Sequence, residues 1–114
     1  MDRSISSIIS KALDGLSLRA EATAQNVANA NSPNYRPVRV SFEEELRSAA
    51  SSGPIAIDSV TPRLIQTEAV AGGADRRLDL ELATASETAL RYGALIDILN
   101  RDFQLQRTLI RGGQ

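Results

Sequence analysis

The chain has 114 residues and a formal charge of −1, with 13 basic and 14 acidic side chains. It contains no cysteine and no histidine, which excludes disulfides, thiolate nucleophiles, zinc–thiolate sites and the commonest general base. A near-neutral chain has no electrostatic reason to bind nucleic acid. We therefore expect one domain at most, no enzyme, no cofactor and no small-molecule substrate.

The first predicted element is a long helix within residues 1–31. Its apolar residues recur at helical spacing and form one stripe: Ile5, Ile9, Leu13, Leu16, Ala20, Ala24 and Val27. We expect Leu13, Leu16 and Ala20 to pack against another helix. Helices that lie on membrane surfaces carry Lys and Arg opposite Trp or Phe, whereas the polar side here has Ser, Ala, Asp and Glu. Helix pairing is therefore the better interpretation.

This helix ends in a polar segment with the sequence Asn26-Val27-Ala28-Asn29-Ala30-Asn31-Ser32-Pro33-Asn34-Tyr35. Pro33 pushes Ser32 out of the helical region, and Pro33-Asn34 fits the central pair of a type I or II turn. Asn26 and Asn29 precede the turn inside the helix, where Asn is a poor helix former. We expect these amides to bond to a neighbouring subunit or to the turn of their own chain. The ring of Tyr35 is then expected to pack against the helix pair or a neighbour.

Residues 32–77 are predicted to form a turn, a short helix and a variable middle segment. Alternating apolar residues predict an extended stretch over residues 36–42. Ser41 followed by Glu44 fits a capping box, which predicts a helix over residues 42–50. Apolar residues between Pro54 and the glycine pair at 72–73 are compatible with brief strands.

Two charged runs in this middle part are interpreted as solvent-exposed. The run Glu43-Glu44-Glu45 lies at a helix start, where consecutive carboxylates cannot converge on a cation. The run Asp75-Arg76-Arg77 is predicted to be a solvated linker. Neither run therefore indicates a metal site.

The last predicted element is a second long helix over residues 78–111. Its apolar residues alternate in steps of four and three, which is a heptad seam that faces another helix. Gln106 alone interrupts the apolar series. The members of the seam are Leu78, Leu82, Ala85, Ala89, Tyr92, Ile96, Leu99, Phe103 and Ile110. We expect replacement of Phe103 by alanine to weaken the subunit by about 2–5 kcal/mol.

Together these elements predict an all-α fold in a single domain, residues 1–114. The long N- and C-terminal helices pair as an antiparallel coiled coil, and the irregular middle segment can contain β-strands. Both terminal helices are expected to be marginal in an isolated monomer, because isolated helices draw most of their stability from packing. No run of about 18 apolar residues occurs, so no transmembrane helix is expected.

The segment from Asn26 to Tyr35 resembles a pattern of the bacterial flagellar rod, hook and filament-axis family. That pattern is Asn-(Ile/Val)-Ala-Asn-x-x-(Ser/Thr)-Pro-Gly-Tyr, and Asn34 stands here where the family has glycine. Asparagine also tolerates a positive φ. Residues 36–46 resemble the proximal rod protein of the family. Residues 78–81 and 89–92 with Phe103 resemble that protein more than its rod relative. The resemblance covers both ends of the chain and fails in residues 51–77.

The resemblance implies a structural subunit without catalytic activity. Such subunits are exported unfolded through the flagellar type III apparatus without a cleaved signal peptide, and they polymerise as a helical rod in the periplasm. The implied partners are further copies of the chain, the rod protein FlgC, FliE and the flagellar export gate. The residues that the resemblance implies for assembly are Asn26, Val27, Ala28, Asn29, Pro33, Asn34 and Tyr35.

Two other interpretations stay open at this point. The chain is compatible with a different rod subunit of the same family. It is also compatible with a coiled-coil adaptor of the flagellar secretion system, which would fold as a discrete dimer rather than form open-ended assemblies.

Overall fold

The computed structural model describes residues 1–69 and 71–112, and it confirms a mostly helical chain with long N- and C-terminal helices. The elements in chain order are α1 (Arg3–Ala28), β1 (Val38–Ser41), α2 (Glu43–Ala50), α3 (Pro54–Asp58), β2 (Arg63–Gln66) and α4 (Gly73–Gly112). The molecule is elongated, with principal extents of 64 × 27 × 15 Å. Gly113, part of the predicted stop of the last helix, lies outside the described residues.

The helices α1 and α4 run in opposite directions along the long axis. The ammonium group of Met1 lies 3.4 Å from a carboxylate oxygen of Asp102, and Asn26 at the other end bonds to Glu81. Because α4 has 40 residues and α1 has 26, residues 103–112 continue past the start of α1. These contacts give the direction of pairing, and coiled-coil packing stays a prediction.

The core lies between α1 and the middle segment. Its buried residues are Leu16, Ala22, Val40, Phe42, Leu46, Ile57 and Val60. Among the described residues of α4, only Leu95 is packed against this cluster. The middle segment was predicted to be irregular and variable. It instead supplies most of the core, because its short elements bury their apolar residues against α1.

Gly15 explains how the middle segment approaches α1 so closely. The ring of Phe42 lies directly over Gly15, and a Cβ atom built there would overlap the ring. Glycine costs about 1 kcal/mol relative to alanine inside a helix. Here that cost is offset by the burial of Phe42, which is 2% exposed.

The strands and short helices differ in part from the expectation. Strand β1 pairs with β2 in antiparallel register, with Val38 opposite Gln66. Residues 54–58 form α3 rather than a strand, since Gly53 turns the chain at φ 91° and Pro54 occupies the first turn of the helix. The capping box is wrong: Phe42 is the N-cap residue of α2, and no side chain caps the helix.

The buried face of α4 is rotated by one residue from the predicted seam. Glu81 and Thr88 are buried, and Leu95 follows at the same spacing of seven. The predicted residues Leu82 and Ala89 come one position later and are exposed, because each residue turns a helix by about 100°. The start of α4 is also earlier than predicted, so residues 75–77 are helical and not a linker.

Several predicted interface residues are therefore not buried within the single chain. The exposed ones are Ala20, Leu82, Ala89, Tyr92, Phe103 and Ile110, the half-buried ones are Leu13, Ile96 and Leu99, and Leu16 alone is buried. Glu81 takes an inner position on α4 since it bonds to Asn26 of α1 and to Arg39 of the middle segment. Contacts of the exposed residues with other subunits stay a prediction.

The turn after α1 contains the one strained position of the predicted motif. Asn34 has φ 61°, and the N–H of Tyr35 donates to the carbonyl oxygen of Ser32 at 3.3 Å. A positive φ at the third position is the requirement of a type II turn, which agrees with the expected turn types.

We expect Asn34→Ala to lower the free energy of unfolding by about 1 kcal/mol, because alanine is disfavoured in the left-handed region. Asn34→Gly is expected to leave the free energy of unfolding unchanged or to raise it. Urea titrations followed by circular dichroism measure both variants. An alanine variant as stable as the glycine variant would contradict the assigned backbone conformation.

Candidate functional site

Asn26 lies in the last turn of α1 and is 2% exposed. Its amide pairs with the main chain of Val38 in the manner of a neighbouring strand. The N–H of Val38 donates to Oδ1 at 2.9 Å, and Nδ2 donates to the Val38 carbonyl oxygen at 2.9 Å. The Tyr35 hydroxyl donates to Oδ1 at 2.8 Å, and Nδ2 donates to Glu81 at 3.1 Å. Both donors and both lone pairs of the amide are thus satisfied.

Glu81 links this amide to α4 and is itself 2% exposed. The guanidinium of Arg39 donates to both of its carboxylate oxygens, at 2.7 and 3.0 Å. A buried carboxylate is tolerated where a cation and further donors satisfy it, and Arg39 with Asn26 supplies both. We call Asn26, Tyr35, Val38, Arg39 and Glu81 the Asn26 network. It joins α1, β1 and α4.

Tyr35 is half-buried, and burial together with the nearby charge of Glu81 raises the pKa of its hydroxyl, while Arg39 acts in the opposite direction. The raised pKa means that the fold favours the neutral phenol, which is the form that donates to Asn26. The stabilisation by the neutral Tyr35 hydroxyl is therefore fully present below the pKa of an unfolded tyrosine, about 10. It is lost as the pH rises through the higher pKa of Tyr35 in the folded state.

We expect the stability difference between the native chain and Tyr35→Phe to shrink above pH 10, because the native chain alone loses the neutral hydroxyl at this position. Urea denaturation of both proteins between pH 8 and pH 11 measures this difference, and the shared Tyr92 cancels in the comparison. A difference that stays constant over this range would show that Tyr35 is not coupled to folding.

A second polar cluster ties α1 to α2 and α4. Arg19 donates to both carboxylate oxygens of Glu43, at 2.7 and 2.8 Å, and to the carbonyl oxygen of Val40. Its guanidinium also lies 5.0 Å from the centre of the Phe42 ring. Hydrogen bonding from Arg19 lowers the pKa of Glu43 and outweighs the opposing effect of burial. Arg91 of α4 approaches the same carboxylate at 3.3 Å.

The acidic run was expected to be solvent-exposed at a helix start, and two of its three carboxylates instead form ion pairs with distant arginines. Glu43 is held by two arginines, and Glu45 lies 2.7 Å from Arg63 of β2. Glu44 alone matches the expectation, since both it and its partner Arg47 are largely exposed. The arginines come from distant parts of the sequence, so spacing within the run did not reveal these pairs.

The other residues of the predicted motif have different surroundings. Asn29 is the C-cap residue of α1. Both its backbone N–H and its Nδ2 donate to the carbonyl oxygen of Gln25. Val27, Ala28 and Pro33 are exposed. Asn26 and Asn29 are three residues apart and have different environments, one buried and one at the helix end. Of the two amides, only Asn26 joins separate elements of the chain.

Sequence reasoning missed Glu81 and Arg39 as members of the site. The carboxylate lies one position before Leu82 of the predicted seam, where an acidic residue is ordinarily exposed, so no local signal identified it. Arg77 was also missed: it reaches from the first turns of α4 to the carbonyl oxygen of Ser32 at 3.4 Å.

Within residues 1–69 and 71–112, no cluster of acidic residues is arranged to hold a metal ion. No helix in the same part of the chain is long and apolar enough to cross a membrane. No protein-family model matches the sequence, and no curated protein matches it either. In the Asn26 network, hydrogen bonds and one ion pair fix the relative positions of three elements.

Proposed function

We propose that the chain is a structural subunit of the bacterial flagellar basal-body rod, of the FlgB type. The observation that carries the proposal is the motif from Asn26 to Tyr35. Its pattern resembles that of the rod, hook and filament-axis family, and its first asparagine organises the junction of α1, β1 and α4. The turn accommodates Asn34 in the conformation that the family's glycine adopts readily.

The surface of α4 supports a role in assembly. Large apolar side chains are exposed along its outer face and its free end: Leu82, Leu90, Phe103, Leu105, Leu109 and Ile110, each at least 58% exposed. Monomeric proteins seldom expose extended apolar surface, and such surface commonly marks contact with another protein. A subunit that polymerises through its terminal helices would bury these residues.

In this proposal the chain passes unfolded through the flagellar export apparatus without a cleaved signal peptide. It then forms the proximal part of the periplasmic rod, which transmits rotation. Its partners are further copies of itself, FlgC, FliE and the export gate. It binds no nucleic acid and no small-molecule substrate.

Deletion of the gene in its source bacterium tests the proposal. We expect rod, hook and filament to be lost together in electron micrographs of basal bodies, and we expect the native gene to restore them. Asn26→Asp is expected to fail in the same complementation, while Asn29→Asp serves as its control. Normal swimming of the deletion strain would refute the proposed function.

Two alternatives predict different results. An FlgC-type subunit would also be required for the rod but would occupy a different level, which gold labelling of purified basal bodies distinguishes. An adaptor of the secretion system would be absent from purified basal bodies. It would also elute from a size-exclusion column as a discrete dimer at two concentrations, with the same helicity by circular dichroism.

A further inference from the structure

A groove of about 660 Å³ runs between α1 and α4 and is lined by these two helices alone. Ala20, Ala24 and Val27 line it on α1, and Ala85, Ala89 and Tyr92 line it on α4. Most of these residues belong to the two apolar stripes that the sequence displays. Both stripes therefore flank an open groove and do not meet each other in a closed seam.

The same chain has an apolar segment without a helix to pack against. Residues 103–112 extend beyond the contact between Met1 and Asp102, and we call them the α4 overhang. Four of its large side chains are 58–69% exposed, namely Phe103, Leu105, Leu109 and Ile110. At about 1.5 Å per residue the overhang is about 15 Å long, slightly shorter than the part of α1 from Leu16 to Val27 that borders the groove, which is about 18 Å long.

The overhang cannot enter the groove of its own chain. Both lie on the same continuous helix α4, and the groove ends at Gly93, well before the overhang begins. Folding back would require a break in α4, which is helical from Gly73 to Gly112. An α4 overhang that enters the groove must therefore belong to a second copy of the chain.

We propose that the α4 overhang of one copy docks in the α1–α4 groove of the next copy. The small side chains of the groove allow close approach. Phe103 and Ile110, seven residues apart on one face of the overhang, fill the space that they leave. Charges at the edges are complementary. Arg107 and Arg111 are exposed on the overhang, and Asp14 and Glu21 are exposed on α1 within one helical turn of Ser17 at the groove edge.

Such a contact joins different surfaces of the two copies. It therefore leaves a free groove at one end of every pair and a free overhang at the other. Further copies can add head to tail at either end. That the resulting polymer is the flagellar rod rests on the proposed function. The contact itself is argued from the groove and the overhang alone.

Cross-linking of the full chain tests the contact, since the native sequence has no cysteine. Ala24→Cys in the groove and Ile110→Cys on the overhang are purified separately, mixed and treated with a short bifunctional maleimide. We expect a cross-linked pair from the mixture and little product from either variant alone. Thr108→Cys, on the other side of the overhang, is the matched control and is expected to give little product with Ala24→Cys.

Charge reversal tests the direction of docking. Glu21→Arg in the groove copy, or Arg107→Glu in the overhang copy, is expected to reduce cross-linking about threefold, and the combination should restore it. Circular dichroism of each variant checks that it is folded. Equal cross-linking through Thr108→Cys and Ile110→Cys, or no cross-linking of folded variants, would overturn the docking mode.

The two proposals fail in different ways. If the deletion strain lacks the rod and the purified variants do not cross-link, the docking mode is wrong and the proposed function stands. If the variants cross-link as expected and the deletion strain builds a normal rod, the proposed function is wrong and the contact between copies stands.

Discussion

Asn26→Asp is expected to lower the free energy of unfolding by about 3–5 kcal/mol, since each buried group left unsatisfied costs about 1–3 kcal/mol. The substitution keeps the size of the side chain and replaces the Nδ2 donor by a carboxylate oxygen. That oxygen then faces the carbonyl of Val38 and the carboxylate of Glu81, which are both acceptors. The carbonyl oxygen of Val38 and the carboxylate of Glu81 each lose the Nδ2 donor, although Arg39 still donates to Glu81. Two negative charges also come close together.

Urea denaturation at neutral pH measures this loss, and Asn29→Asp is the matched control. Asn29 is a less buried asparagine three residues away, and its amide bonds only to groups at the end of α1. We expect its replacement to cost no more than about 1 kcal/mol, as for the loss of a helix cap. Equal losses at both positions would mean that the Asn26 network does not hold α1, β1 and α4 together.

Phe42→Ala is expected to lower the free energy of unfolding by about 3–5 kcal/mol, the usual range for a buried phenylalanine. The ring is 2% exposed and fills the space above Gly15. The guanidinium of Arg19 also lies over the face of this ring. Removal of the ring therefore leaves Arg19 less firmly positioned for its hydrogen bonds to Glu43. Thermal and urea unfolding of the purified variant measure the loss.

Phe103→Ala is the control for Phe42→Ala, because it makes the same chemical change at a side chain that is 58% exposed. In a dilute monomer we expect a change within about 0.5 kcal/mol, as for other surface substitutions. This expected change in the free energy of unfolding is smaller than the loss of about 2–5 kcal/mol that the heptad pattern predicted for Phe103→Ala. A loss at Phe103 comparable to that at Phe42 would show that the overhang packs against its own chain.

The long helices were predictable because their signals are local. Apolar periodicity and the turn at Pro33-Asn34 place α1 to within a few residues, whereas α4 begins five residues before the predicted start at residue 78. The short strand β1 was also visible, since alternation of Val38 and Val40 needs no knowledge of the partner. The opposite directions of α1 and α4 agree with the expectation as well.

The buried face of α4 was not predictable from the apolar pattern. Hydrophobic periodicity selects the face with the most apolar residues, and that face includes Leu82 and Ala89. The structure instead buries Glu81 and Thr88, because a hydrogen-bond network compensates the burial of Glu81. Its partners Asn26 and Arg39 lie 55 and 42 residues away in sequence. Contacts over such separations leave no local signal.

The core was missed for a related reason. Phe42 and Leu46 occur in a stretch dominated by charged and small residues, and neither neighbour of Ile57 in the sequence is itself buried. Each becomes a core residue only when α1 offers a second apolar face, with Gly15 as the point of closest approach. The expectation that both terminal helices are marginal in an isolated monomer stays a prediction.

The placement of the core also affects the order in which the chain acquires structure. All of its buried apolar residues lie between Leu16 and Val60, ahead of α4 in the sequence. A chain that emerges from a ribosome or a narrow channel with its N-terminus first therefore presents the whole cluster before α4 is free. The loops that must close are short, which favours early collapse. Pulse-labelled hydrogen exchange during refolding should accordingly protect amides of residues 8–60 before those of α4.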